Sequence, residues 1–263
     1  MGEQLIIITI VMVIIFIVIG LDMRLKVVRY KIKGSVNLKI AHISDLHGCR
    51  YGKNMSAIVD IINDEKPDVV MYSGDIFDDD IKHKNSRILV ERIRNYPSYY
   101  VNGNHEYWAD DFEYIYKVLN DNGVITLEDK TAIYKKGDSE VNISGIEDPN
   151  SGKELENQLS KLYLNKDSYN ILIAHRPENI KKYLEYNFDL ILSGHAHGGQ
   201  WRIPYLINGV YAPNQGIFPK YAGGKYKFGN KNFIVSRGLA RETTIIPRFY
   251  NRPELIIIEI ENK

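Results

Sequence analysis

The sequence predicts an α/β fold preceded by one N-terminal transmembrane helix, on three observations. Residues 5–19 form an apolar run in which only Thr9 is not strongly hydrophobic. Beyond residue 35, short apolar runs alternate with segments of helical spacing. Five of those short runs end, in succession, in Asp, His or Asn beside a turn residue, and carboxyl ends of strands are where open α/β sheets build their sites.

The N-terminal run is justified first. Gly20 and Leu21 extend it to seventeen residues, about 25 Å as a helix and near the lower bound for crossing a bilayer. It lacks the polar face of a core helix. Met1 to Gln4 carries Glu3 but no Lys or Arg, and no small-x-small cleavage site follows. An uncleaved anchor is therefore favoured over a signal peptide. Arg24, Lys26, Arg29, Lys31 and Lys33 follow, opposed only by Asp22. The positive-inside rule places that flank and the rest of the chain on the cytoplasmic side; the flank could also lie on anionic headgroups. The expected organisation is a single-pass membrane protein, with residues 1–34 as anchor and basic flank and residues 35–263 as the catalytic domain.

The remaining elements follow in order. Residues 38–43 predict a strand ending at Ser44-Asp45. Residues 54–63 predict a helix with Met55, Ile58, Val59 and Ile62 on one face. Strands are predicted at 69–72, ending at Gly74-Asp75, and at 98–101, ending at Gly103-Asn104-His105, with helices at 86–93 and 112–119. The second half is richer in strands, at 124–127, 132–135, 141–146, 171–174, 190–192, 233–236 and 255–260, with a helix at 155–164. Residues 200–228 are interrupted by Gly and Pro and read as loops.

Composition narrows the function. Lys plus Arg is 34 and Asp plus Glu is 33, a net charge of +1, which does not suit a general nucleic-acid binder. One cysteine, Cys49, excludes an intramolecular disulfide framework and a cysteine-cage zinc site.

The strand-end residues are Asp45, His47, Asp75, Asn104, His105, His175, His195 and His197. Of seven histidines, all but His42 and His83 sit in these turns. Asp-x-His alone can be a helix cap, and Gly-Asp or Gly-Asn alone a turn. Together, carboxylate and imidazole suit divalent first-row metals such as Mn, Fe, Zn or Ni. Asp can bridge two ions, and Asn adds a neutral oxygen. In Asp45-Leu46-His47 and His195-Ala196-His197 the spacing of two points both side chains one way in an extended segment. Two ions can clamp a phosphoryl group and activate water at neutral pH.

Asp45-Leu46-His47, Gly74-Asp75-Ile76-Phe77-Asp78, Gly103-Asn104-His105-Glu106, His175 and Gly194-His195-Ala196-His197 resemble, in order, the five blocks of the calcineurin-like metallophosphoesterases. The extension Gly198-Gly199-Gln200, with Ser236-Arg237-Gly238-Leu239 and Pro253-Glu254-Leu255, is similar to the bacterial membrane-anchored branch. The resemblance implies a four-layer α/β/β/α sandwich with two mixed sheets. It implies two divalent ions, one held by Asp45, His47, Asp75 and His197, the other by Asp75, Asn104, His175 and His195. It gives His105 the role of stabilising the phosphate or protonating the leaving group, Asp78 that of a supporting or capping residue, and the chemistry as in-line attack by a metal-bound hydroxide. Glu106 stands where many members have Asp.

Residues 200–228 hold Trp201, Tyr205, Tyr211, Phe218, Tyr221, Tyr226 and Phe228 beside Arg202, Lys220, Lys225 and Lys227. These aromatics either pack against the second sheet or form an amphipathic rim at lipid headgroups. With the anchor, the rim points to a phospholipid or lipid-linked phosphoester; the resemblance adds a UDP-diacylglucosamine-like pyrophosphate. The expected partners are the bilayer and a phosphoester substrate, with no nucleic acid. The alternatives are a nuclease or nucleotide phosphodiesterase and, in another class, a catalytically silent membrane-bound binding protein. Intact ligands and His105 weigh against the last.

Overall fold

The computed structural model describes residues 2–109, 111–241 and 246–262. In chain order the elements are α1 (Gly2–Gly20), β1 (Lys26–Gly34), β2 (Leu38–Ile43), α2 (Ser56–Glu65), β3 (Val69–Ser73), α3 (Lys84–Arg92), β4 (Ser98–Val101), α4 (Asn104–Trp108), α5 (Phe112–Asp121) and β5 (Val124–Thr126). They continue with β6 (Lys130–Lys136), β7 (Ser139–Gly145), α6 (Leu155–Lys161), β8 (Tyr169–Ile173), α7 (Ile180–Tyr183), β9 (Leu190–Ser193), β10 (Tyr211–Ala212), β11 (Gly216–Ile217), β12 (Gly224–Phe228), β13 (Lys231–Val235) and β14 (Glu254–Asn262).

Two mixed six-stranded sheets form, in the orders β1-β14-β2-β3-β4-β5 and β12-β13-β9-β8-β7-β6. Period-2 burial makes four layers of them. Val69 and Met71 of β3 enter the apolar layer between the sheets, while Val70 and Tyr72 face the helices. Ile171 and Ile173 of β8 meet that inter-sheet layer, and Leu172 turns outward to α6 and α7. Strands buried on both faces lose the polar alternation and read as continuous apolar runs. On the first sheet's outer face, α2 buries Ile58, Val59 and Ile62. The α2 helix stops at Lys66, which is left-handed at φ 50° and precedes Pro67, a residue that disfavours helix before it.

The helix α1 is long and apolar enough to cross a membrane. Its end touches the globular body: Phe16 packs on Phe249 and Tyr250, and the Tyr250 amide donates to the Gly20 carbonyl.

Three sequence expectations change. The basic flank is not separate from the sheet. Residues 26–34 form β1, parallel to β14 in continuous register from Lys26↔Glu254 to Gly34↔Asn262, so the body begins before residue 35. Within that strand Arg29 pairs with Glu65 and Lys31 with Glu259 and Glu261, so these charges neutralise one another on a sheet edge. Residues 224–228, expected as loop, form β12, antiparallel to β13. The aromatics of 200–228 also divide: Tyr221 and Tyr226 pack on Phe233, and Phe228 on Tyr221, under the second sheet, while Trp201, Tyr205, Tyr211 and Phe218 are exposed.

Candidate metal centre

The loops after β2, β3, β4, β8 and β9 converge at one end of the two sheets. Asp45, His47, Asp75, His195 and His197 all have positive φ, between 46° and 64°. Side chains other than glycine seldom adopt this conformation, and such strain clusters at functional sites. Gly74, at φ 87°, allows the turn before Asp75; a Cβ there would lie 2.7 Å from His175 Nδ1. Behind Asp45, Gly238 at φ 73° leaves no room for a Cβ, which would lie 2.6 Å from that of Asp45. The Leu239 amide donates to the Ser44 and Asp45 carbonyls. Arg237 is clamped by the buried Glu254, so the two late motifs brace one another beneath this loop.

Ligating atoms gather in three groups: His47 with Asp78 and His105, and two that share a carboxylate, namely Asp45, His47, Asp75 and His197, and Asp75, His175 and His195. Asp75 belongs to both. Its Oδ1 accepts the His105 amide at 2.9 Å. Its Oδ2 has no hydrogen bond and faces His175 Nε2 at 3.0 Å and His47 Nε2 at 3.7 Å. Thus one oxygen, rather than two, faces both groups. Asn104 begins α4, and its buried Oδ1 lacks a partner.

The supporting bonds aim these rings. His175 Nδ1 donates to the Ser73 carbonyl at 2.7 Å, which turns Nε2 toward Asp75. His47 Nδ1 lies 2.7 Å from Asp78 Oδ2; the other Asp78 oxygen accepts the Asp80 and Ile81 amides, so this residue both caps its turn and holds the ring. His195 Nε2 meets Asn214 Oδ1 at 2.8 Å, leaving Nδ1 to face His175 Nε2 at 3.2 Å. Glu106 fixes the Asp75 loop: its carboxylate accepts the amides of Asp75, Ile76, Phe77 and Gly103 and the Tyr100 hydroxyl.

The titration state follows from this packing. Burial pushes the Asp75 carboxyl up, but the charge of the neighbouring His175 ring outweighs it and holds the group well below the usual carboxylate range. Burial lowers His175, yet Asp75, Asp45 and Asp148 raise it to about 10. Burial, with the charges of His175 and Arg176, lowers His195 to about 3, so this ring is neutral, the form that binds metal.

Metal ions fit this donor set. His47 Nε2, Asp75 Oδ2 and Asn104 Oδ1 are buried without hydrogen-bond partners, an arrangement costly unless something else satisfies them. His175 Nε2 lies 3.0 Å from Asp75 Oδ2; without an ion the ring proton links the two, and a divalent cation would take that proton's place between them. Carboxylate, imidazole and amide oxygen are ligands for first-row divalent ions.

Sequence reading had named all seven candidate ligands, and the fold gathers them. Asn104 and His105 line a cavity of about 950 Å³ with Asp75, His195 and His197. His105 Nδ1 meets Asp79 Oδ1, which leaves Nε2 for a substrate. Arg176, Asp148 and Asn214 escaped that reading. The buried Arg176 guanidinium is held by Asp148 through Nε and Nη2, and Nη1 reaches Asn214 Oδ1. Only adjacency to His175 could have flagged Arg176. Cys49 is buried in the helix-facing core.

A Bacillus subtilis (strain 168) protein described as an uncharacterized metallophosphoesterase, YkuE, is 29% identical over 244 residues, covering 87% of this chain and 81% of that protein. The phosphodiesterase YaeI of Escherichia coli (strain K12) is 26% identical over 230 residues, 84% and 82% of the two chains. A Danio rerio transmembrane protein with metallophosphoesterase domain is 29% identical over 233 residues, 79% of this chain and 53% of that one. Residues 38–199 match the family model described as Calcineurin-like phosphoesterase, and the chain belongs to that family of metal-dependent phosphoric ester hydrolases.

Proposed function

We propose that the protein hydrolyses a phosphodiester, pyrophosphate or phosphomonoester bond of a lipid-linked or membrane-associated substrate, at a site holding two divalent ions. The observation that carries the dinuclear reading is the unpartnered Asp75 Oδ2, shared by two groups of ligating atoms. Asp45, His47, Asp75 and His197 would hold one ion, and Asp75, Asn104, His175 and His195 the other. When bound, the ions supply Lewis-acid charge to the phosphoryl group and activate water near neutral pH.

The chain's own residues do the rest. Asp78, the Ser73 carbonyl and Asn214 fix the rings of His47, His175 and His195, as partners behind ligands do elsewhere. Glu106 locks the turn that presents Asp75. His105, tied through Nδ1 to Asp79, directs Nε2 to the cavity, where it hydrogen-bonds the phosphoryl oxygen or gives the leaving oxygen its proton.

The membrane part of the reading rests on α1 and on the likeness to a transmembrane relative. A UDP-diacylglucosamine-like or phospholipid substrate suits an anchored enzyme. A cytoplasmic body is supported by the exposed Lys26 and Lys33 of the flank. Labelling Lys33→Cys with an impermeant thiol reagent, on intact cells and then on inverted vesicles, tests that side.

The main test uses the full chain in detergent, stripped of metal and given Mn²⁺, with an aryl phosphodiester. Turnover that needs the ion and disappears in Asp75→Asn is expected. Protein that takes up no ion, measured by metal analysis, would remove the reading.

A further inference from the structure

Residues 200–218 do something that the chemistry of the site does not require. Among the described residues outside α1, the four most exposed large hydrophobic side chains all lie here: Tyr205, fully exposed, Leu206 at 82%, Ile217 at 71% and Phe218 at 66%. They are not frayed. The 203–207 turn closes on itself through Ile203 and Ile207, β10 pairs with β11, and the Phe218 amide donates to the Val210 carbonyl at 2.8 Å. An ordered surface that displays apolar side chains together marks an interaction site.

Its neighbours decide what it meets. The Trp201 indole donates to the Pro247 carbonyl and lies 5.9 Å from the Phe249 ring. Phe249 in turn lies 5.6 Å from Phe16. Phe16 is four residues, about 6 Å, inside the end of α1. The body therefore overlaps the apolar span of the anchor, and a bilayer that receives α1 must touch the body at Phe249 and Tyr250. The exposed segment begins one ring away. Lys220, exposed just beyond Phe218, is suited to headgroup phosphate.

We propose that residues 200–218 dock on the bilayer entered by α1, placing Tyr205, Leu206, Ile217 and Phe218 at its apolar boundary. The inference rests on the membrane reading above. Its consequence is positional: the same segment supplies Pro213 and Asn214 to the cavity wall, and Asn214 holds His195. The mouth of the site would then open beside the headgroups, and the substrate would enter laterally from the lipid surface.

The test reconstitutes the full chain in phosphatidylcholine vesicles containing phosphatidylglycerol. Single cysteines are labelled with an environment-sensitive fluorophore at Leu206→Cys, Phe218→Cys, Val13→Cys within α1, and Asp138→Cys in the β6–β7 turn. Asp138 is at the ends of the strands opposite the site; Cys49 is buried and stays unlabelled. Lipids brominated on the acyl chain and aqueous iodide serve as quenchers. Labels at 206 and 218 should be quenched by brominated lipid roughly threefold or more above the label at 138, as expected for burial about 5–10 Å into the interface. If the label at 13 is quenched but those at 206 and 218 behave as at 138, docking is wrong and the anchor stands. If 206 and 218 are shielded from iodide without lipid quenching, a protein covers the patch and the proposal fails. If the label at 13 escapes lipid quenching, the anchor reading fails and takes the proposal with it.

Discussion

The ligand loops and residues 200–218 lie at the same end of the molecule, yet they are opposite in physical character. In the loops of the candidate ligands most polar side chains are buried and tied to a partner, the exceptions including His47 Nε2, Asp75 Oδ2 and Asn104 Oδ1. In residues 200–218 the backbone is tied down, while the largest side chains are apolar and exposed. Reaction chemistry demands fixed donors, and presentation of a substrate demands only a surface of the right polarity. Substitutions in the first region should therefore change turnover and metal content; substitutions of the exposed apolar side chains in the second should leave both the fold and the metal alone.

The largest effect is expected at Asp75, where one oxygen serves both groups. Asp75→Asn should lower turnover by about 1,000-fold or more and reduce bound metal, measured by metal analysis against protein concentration. Full metal content with undiminished turnover would break the assignment. His105→Ala comes next, with a loss of roughly 100- to 10,000-fold in kcat, the range for a lost general acid. Metal content should stay largely unchanged, because the ring's hydrogen bond goes to Asp79 rather than to a candidate ligand and it meets the His47 ring only by edge-on packing; a fall in metal would recast His105 as structural. Asp78→Asn keeps the shape but weakens the hold on His47 Nδ1, and about 10- to 100-fold weaker metal binding is expected by titration.

Acid stability supplies a test in the same buried region. His42 on β2 is wholly buried, its Nε2 is 2.7 Å from Ser73 Oγ, and burial lowers it to about 3. The unfolded chain binds that proton near pH 6.5, whereas the folded chain does not until about pH 3. The unfolded state thus holds more protons across this window. Its stability contribution is full above pH 6.5 and is lost as pH falls, by about 1.4 kcal/mol per unit. Comparing unfolding of the wild-type protein and His42→Gln between pH 7 and pH 5 should show a shallower slope in the variant.

Much of the candidate ligand set was legible because four of the five strands end in a Ser or Gly beside the candidate, His175 after Ala174 being the exception, and because five of seven histidines share those turns. The partners that hold the ligands were less legible, since Asp148 and Asn214 come from loops far away in sequence, and only folding brings them to Arg176 and His195. Beyond the short β10–β11 ribbon, two strands that the reading missed have one physical cause. β1 and β12 are the outer strands of their sheets, and both place basic side chains at alternate exposed positions: Arg29, Lys31 and Lys33 in one, Lys225 and Lys227 in the other. Lysine on an edge discourages pairing with other chains, and the same pattern imitates a basic flank or a loop. The alternating Tyr30 and Ile32, and Tyr226 and Phe228, were the signal of a strand.

The smallest expected effect is the one that sharpens the comparison most. Leu206→Ser and Phe218→Ser remove apolar side chains that touch little of the body, so the stability of detergent-solubilised protein should move by no more than about 0.5 kcal/mol, as for surface substitutions generally. Metal content and hydrolysis of a small soluble aryl ester should also be unchanged, because neither side chain lines the cavity. Loss of stability in these variants would mean that the exposed side chains hold the 203–207 turn and the β10–β11 ribbon, and through Asn214 the site itself. Retained stability with retained soluble turnover would separate the two regions: the ligand loops, with Asn214, set the chemistry, and the exposed apolar side chains of residues 200–218 act only where the substrate is presented at a surface.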